Sequence, residues 1–175
     1  MKLKDIFDTY RGVQIPRDRT SIKGEIPYLH YGDIYKIYST HVDINKELSK
    51  IIKISCKERV NQNQHLNHGD IVMNLTSENY DDLGKSVLII NPDNTPFIGG
   101  METHILKLKT DLVISQYLQY YFESQAFSDV LVQFTYGMKV FRANPKHFSE
   151  VEIEIPSFDI QQHIVDTIYS SIKSL

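Results

Sequence analysis

Apolar positions in this chain fall into runs whose period changes along its length. In residues 3–10, Leu3, Ile6, Phe7 and Tyr10 recur at helical spacing on one face, which predicts a short helix. Residues 12–25 contain Pro16, Gly24 and charges of both signs with little periodicity, and read as an exposed loop. Residues 27–34 are aromatic and β-rich, with Gly32-Asp33 as a turn signal. The polar stretch 61–70 ends in Gly69-Asp70 and feeds a strand at 71–75. A second short apolar run, 86–90, precedes the turn-rich 91–96, and 103–108 alternates as a further strand.

The period then lengthens. In 112–134, Ile114, Tyr117, Leu118, Tyr121, Phe122, Phe127, Val130, Leu131 and Phe134 follow three- and four-residue steps, which predicts two helices with a break near Ser124. Tyr136-Gly137 ends that pattern, and a basic loop runs to His147. Residues 151–155 alternate strictly, Val-Glu-Ile-Glu-Ile, and stop at Pro156. In 158–175, Ile160, Ile164, Ile168, Ile172 and Leu175 form the stripe of an amphipathic helix that needs a partner surface. Strands gathered first and helices later indicate an α+β fold, a small twisted mixed or antiparallel sheet with flanking helices and a C-terminal helix.

A chain of 175 residues is one domain or one domain with a small appendage. It can close a core without covalent staples. Cys56 is the only cysteine, so an intramolecular disulfide and a multi-thiolate zinc site are both excluded. No apolar run approaches a membrane span and no signal-like h-region follows the first charges, so a cytoplasmic protein is expected, with no membrane partner. The net charge of −3 argues against a uniformly basic binder, yet it hides an asymmetry: residues 1–60 carry 12 Lys or Arg against 8 Asp or Glu, and the remainder 7 against 14. Within that acidic remainder Lys139, Arg142 and Lys146 stand together with no carboxylate among them.

Catalytic signatures are mostly missing. Ile98-Gly99-Gly100 lacks the further glycines and the Lys-Ser/Thr of a phosphate loop, and Asn91-Pro92-Asp93-Asn94 lacks the aromatic a methyltransferase tetrad would stack on a flipped base. Glu78, Asp81, Asp82 and Lys85 read as a solvated acidic turn before a nuclease centre. His65, His68 and Asp70 read as a polar turn before a metal site, His104 and His163 as ordinary histidines, and Cys56 beside Lys57 and Arg59 as a plain thiol.

The cationic and amide residues carry more. The segment 136–147 combines Lys139, Arg142 and Lys146 with Tyr136, Phe141 and Asn144 between turn residues. Lys and Arg neutralise phosphates, Arg can bind guanine O6 and N7, and Asn or Gln can pair with adenine N6 and N7. Asn61, Gln62, Asn63 and Gln64 offer the same amide chemistry, and Arg17, Arg19 and Lys23 the same cations. Each group alone also fits a solvated loop.

Taken in order, these segments resemble a target-recognition domain of type I restriction-modification specificity subunits. The resemblance rests on Ile26-Pro27-Tyr28-Leu29-His30-Tyr31-Gly32-Asp33-Ile34, on Gly69-Asp70-Ile71-Val72-Met73, on Gly84-Lys85-Ser86-Val87, and on the Leu- and Tyr-rich helix pair. Its most specific part is the close: Gly137, a short helix at 144–148, an alternating strand ending in Ile155-Pro156, then Ile160-Gln161-Gln162-His163-Ile164-Val165.

The resemblance implies a non-catalytic reader of double-stranded DNA that recognises one half of a bipartite sequence. It adds Lys85 to the DNA-contacting set. Residues 1–156 would be the recognition domain, and 157–175 the start of a spacer or dimerisation helix that docks modification subunits. S-adenosylmethionine, ATP and Mg chemistry would belong to modification and restriction partners, with no cofactor in this chain. A full specificity subunit has two recognition domains, so a half-subunit or a truncated form is expected. Two copies would then pair through Ile160, Ile164, Ile168 and Ile172, unless that stripe packs on its own domain. The alternative reading is an interaction module that binds modification subunits through its terminal helix without reading DNA.

Overall fold

The computed structural model describes residues 1–79 and 82–174. Asp81 of the acidic turn and Leu175 of the terminal stripe lie outside them. The central sheet has five strands in the order β1 (Phe7–Arg11), β9 (Thr103–Leu108), β5 (Ile71–Asn74), β7 (Ser86–Ile90) and β3 (His41–Asp43). All neighbours are antiparallel except β3 with β7. A three-stranded sheet of β4 (Lys53–Ile54), β2 (Ile26–Leu29) and β8 (Ile98–Gly99) lies beside it, and a third joins β10 (Thr135–Tyr136), β11 (Phe141–Ala143) and β6 (Thr76–Ser77).

Register explains why β5 and β7 are buried almost throughout. Successive side chains point to opposite faces. Ile71 pairs with Leu106 and Leu88 on one face, and its neighbour Val72 pairs with Ile105 and Val87 on the other. The first face packs against α1 (Leu3–Ile6), α4 (Ser115–Phe122), α5 (Gln125–Val132) and α6 (Pro145–Glu150) in a core that includes Phe7, Phe122, Phe127 and Phe148. The second face is covered by Leu29, Ile34, Ile44, Ile51, Leu66 and Phe97, from the second sheet, α2 (Tyr31–Lys36), α3 (Ile44–Glu47) and their loops. A strand covered on both faces has no polar side, so it loses period-two alternation.

The expected mixed α+β architecture is present, and three local expectations are corrected. The helix predicted over 3–10 stops at Ile6, because residues 7–11 pair along their length with β9. The strand predicted over 27–34 ends at Leu29. The His30 ring accepts a hydrogen bond from the Gly32 N–H and starts α2, so Gly32-Asp33 lies inside a helix. Residues 151–155 form a single bridge, Glu152 to Lys2, although Val151 and Ile153 are buried as the alternation requires. The break near Ser124 is a helix cap, its hydroxyl accepting from the Phe127 N–H.

The terminal helix α7 (Phe158–Lys173) is pinned by one side chain. Gln161 is fully buried. Its Oε1 accepts from the Ile114 N–H at 2.8 Å, and its Nε2 donates to the Leu112 carbonyl at 3.0 Å and the Pro156 carbonyl at 2.9 Å. Ile164 and Val165 pack on the core, whereas Ile160 and Ile172 are each 52% exposed. The predicted stripe is therefore split between its own domain and solvent.

Candidate nucleic-acid interface

The first basic segment is organised by salt bridges. Residues Arg17–Arg19 form a 3-10 turn. The Arg17 Nη1 lies 2.7 Å from Oδ1 of Asp33, which is buried in the first turn of α2, while about half of the Arg17 side chain stays exposed. This bond fixes the guanidinium against α2 while part of the side chain stays at the surface. Arg19 pairs with Glu58 at 2.5 Å. Lys23 is exposed beyond the turn and forms no ion pair among the described residues.

From α2 the contacts continue to the second basic segment. The Tyr35 hydroxyl donates to the Thr76 carbonyl at 2.6 Å, and burial pushes its pKa up to about 12, so it remains a donor. Lys85 reaches the Tyr35 carbonyl at 3.5 Å. Thr76 on β6 stands opposite Arg142 on β11, which stands opposite Tyr136 on β10. Directly opposed side chains in a ladder share a face. Arg17, α2, Lys85, Arg142 and Tyr136 are thus linked in a band by one chain of contacts.

Within this band the two basic segments differ. Arg17 and Arg19 are neutralised by carboxylates, whereas Lys139, Arg142 and Lys146 are exposed and form no ion pair among the described residues. No Asp or Glu occurs between Asp129 and Glu150. Asn144 is used structurally, since its Oδ1 accepts from the Lys146 N–H and caps α6, with Pro145 opening the helix.

The amide run lies apart from this chain of contacts, in a 3-10 turn against β1. Gln64 donates to the Arg11 carbonyl at 3.1 Å and accepts from the Asn61 N–H at 2.9 Å, which locks the turn. Gln62 and Asn63 remain exposed. Other polar groups singled out in the sequence brace the fold. His68 accepts from the Asn91 N–H, and Asp70 pairs with Lys107 at 2.5 Å. The Asn91 amide is used by Thr95 and the Leu66 carbonyl, so this Asn-Pro-Asp-Asn segment is a turn brace. Cys56 is exposed beside Glu25.

Both Gly-Asp-Ile elements share one device: a buried aspartate, Asp33 or Asp70, holds a cation from another element. In the Gly84-Lys85-Ser86 element, Gly84 has φ +85°, and a Cβ there would lie 2.5 Å from the Leu131 side chain. Such a position suits only glycine.

A family model described as "Type I restriction modification DNA specificity domain" matches residues 1–174. The chain belongs to this family. No curated protein matches it. Among solved structures, the type I restriction-modification S subunit from M. genitalium superposes with a TM-score of 0.62 at 13% identity, over 97% of this chain and 37% of that one. The HsdS subunit from Thermoanaerobacter tengcongensis gives 0.64 at 16% identity, over 99% and 37%. A structure described for complex assembly and conformational transition of the type I R-M system gives 0.65 at 17%, over 99% and 38%. The specificity-domain fold is thus shared, and the chain spans under two fifths of the length of these matched chains.

The residues that organise the band were not all visible beforehand. Tyr35 and Thr76 carry the link between the basic segments and have no motif of their own. Asp33 belongs to the first Gly-Asp-Ile motif, but only the fold shows that it holds Arg17.

Proposed function

We propose that this chain is the DNA-recognition component of a type I restriction-modification system, reading one half of a bipartite target. Its support is the exposed group Lys139, Arg142 and Lys146, cations without carboxylate partners among the described residues, of which Arg142 is linked through Thr76 and α2 to Arg17. Phosphates would satisfy them, and Arg17, held by Asp33, would meet the duplex from the other side of α2. Arg19, Lys23, Lys85, Gln62 and Asn63 are peripheral contacts. Residues 1–156 are the reading body. From residue 157 onward, α7 presents Phe158, Tyr169 and Ile172 on one side as an apolar surface for modification subunits or for a second copy of the chain, with Ile160 exposed on another side.

In this reading the chain performs no covalent chemistry, and methyl transfer and cleavage belong to its partners. The exposed apolar side of α7 also suits the second reading, an interaction module without DNA contact. Salt dependence separates the two. Binding of duplex DNA should weaken linearly in log[salt], and replacing Lys139, Arg142 and Lys146 with Gln should lower the slope by about 0.9 for each phosphate no longer neutralised. Measurable affinity with an unchanged slope would remove these residues from the interface, and no affinity at all would favour the interaction module.

A further inference from the structure

The tip of the β10–β11 hairpin combines features that no brace in the fold accounts for. The ladder closes with Thr135 opposite Ala143 and Tyr136 opposite Arg142, leaving residues 137–140 to turn the chain into β11. Gly137 has φ +119°, and a Cβ there would lie 2.0 Å from the Val140 carbonyl oxygen, so the turn folds back too tightly for any other residue. That turn projects Met138, which is 97% exposed, the most exposed large hydrophobic side chain among the described residues. Nothing within the described chain covers it. Its neighbours are cations: Lys139 follows directly, and Arg142 stands on the ladder just behind the tip. An apolar tip flanked by two cations that have no ion pair among the described residues is poorly matched to an apolar protein pocket and well matched to a polyanion that displays small apolar groups.

We infer that Met138 is a specificity-determining residue that reads the C5 methyl group of a thymine in the major groove, with Lys139 and Arg142 holding the hairpin between the phosphate walls. This inference rests on the DNA-reading function proposed above. The groove is about 12 Å wide, and the part that would enter it is the turn at 137–140, beyond the last pairs of the three-stranded sheet. The thymine methyl is its one apolar feature, and apolar side chains contact it in direct readout. A methionine is well suited to this contact because its unbranched thioether adapts to an irregular surface. The Tyr136–Arg142 pair lies behind it on one face of the ladder, so its donors fall on base edges or phosphates next to the methyl that Met138 meets.

The test uses the full chain with the modification subunits of its own system, bound to a duplex selected from a random pool. Each thymine of the selected site is replaced in turn by deoxyuridine, which removes only the methyl. At one position the replacement should weaken binding about fourfold, the worth of one buried carbon group. Met138→Ala should abolish that penalty while leaving the salt slope unchanged, and Met138→Leu should keep part of it. A site bound specifically but with no methyl-dependent position overturns the inference, as does a penalty that survives in Met138→Ala. Failure to select any sequence overturns the DNA-reading function itself, and the inference with it.

Discussion

Buried polar residues in this chain sort into those that hold the fold and those that set its response to acid. His104 lies on β9 opposite Arg11 and Met73, and burial together with the Arg11 charge lowers its pKa to about 4. An unfolded histidine titrates near 6.5. Between these values the unfolded chain binds more protons than the folded one, so the contribution of His104 to stability is complete above pH 6.5 and is lost as pH falls towards 4. Its size is at most roughly 3 kcal/mol. Urea unfolding at pH 7 and pH 4.5 should show this loss in the parent chain and a smaller one in His104→Gln. Equal losses would mean that His104 does not carry it. His30 is lowered by burial as well and acts in the same direction.

Among the elements, α7 shows how much depends on a single residue. Gln161 satisfies three backbone groups from two neighbouring segments, and truncating it strands them. Gln161→Ala should cost about 2–3 kcal/mol, read as a shift of the unfolding midpoint, because a buried group without its partner costs about 1–3 kcal/mol. A neighbouring Gln162→Ala should cost little, since Gln162 is exposed and bonds only to Asp166 along its own helix. Equal effects would show that the Gln161 hydrogen bonds are not what secures the helix. Elements of this kind were legible in the sequence where periodicity was long: the helix pair, its Ser124 break and the terminal helix all carry several turns of pattern. Short elements were not. Residues 7–11 have helical spacing by accident of composition, and only pairing with β9 makes them a strand. The two-residue strands β4, β6, β8 and β10 carry no period at all.

For the molecule as a whole, charge distribution mattered more than net charge. The basic first third and the group at Lys139, Arg142 and Lys146 were visible in the sequence, and so was the family. What the sequence could not supply was which cations face carboxylates. Arg17 and Arg19 sit far from Asp33 and Glu58 along the chain, and only folding pairs them. The same limit explains Asn144, which has the chemistry of a base reader and the position of a helix cap. Whether this surface reads sequence is tested most directly by selection from a random duplex pool, using the chain with its modification subunits. The predicted result is enrichment of one defined half-site that Arg142→Ala weakens or relaxes; recovery of the starting pool with no enriched sequence would contradict it.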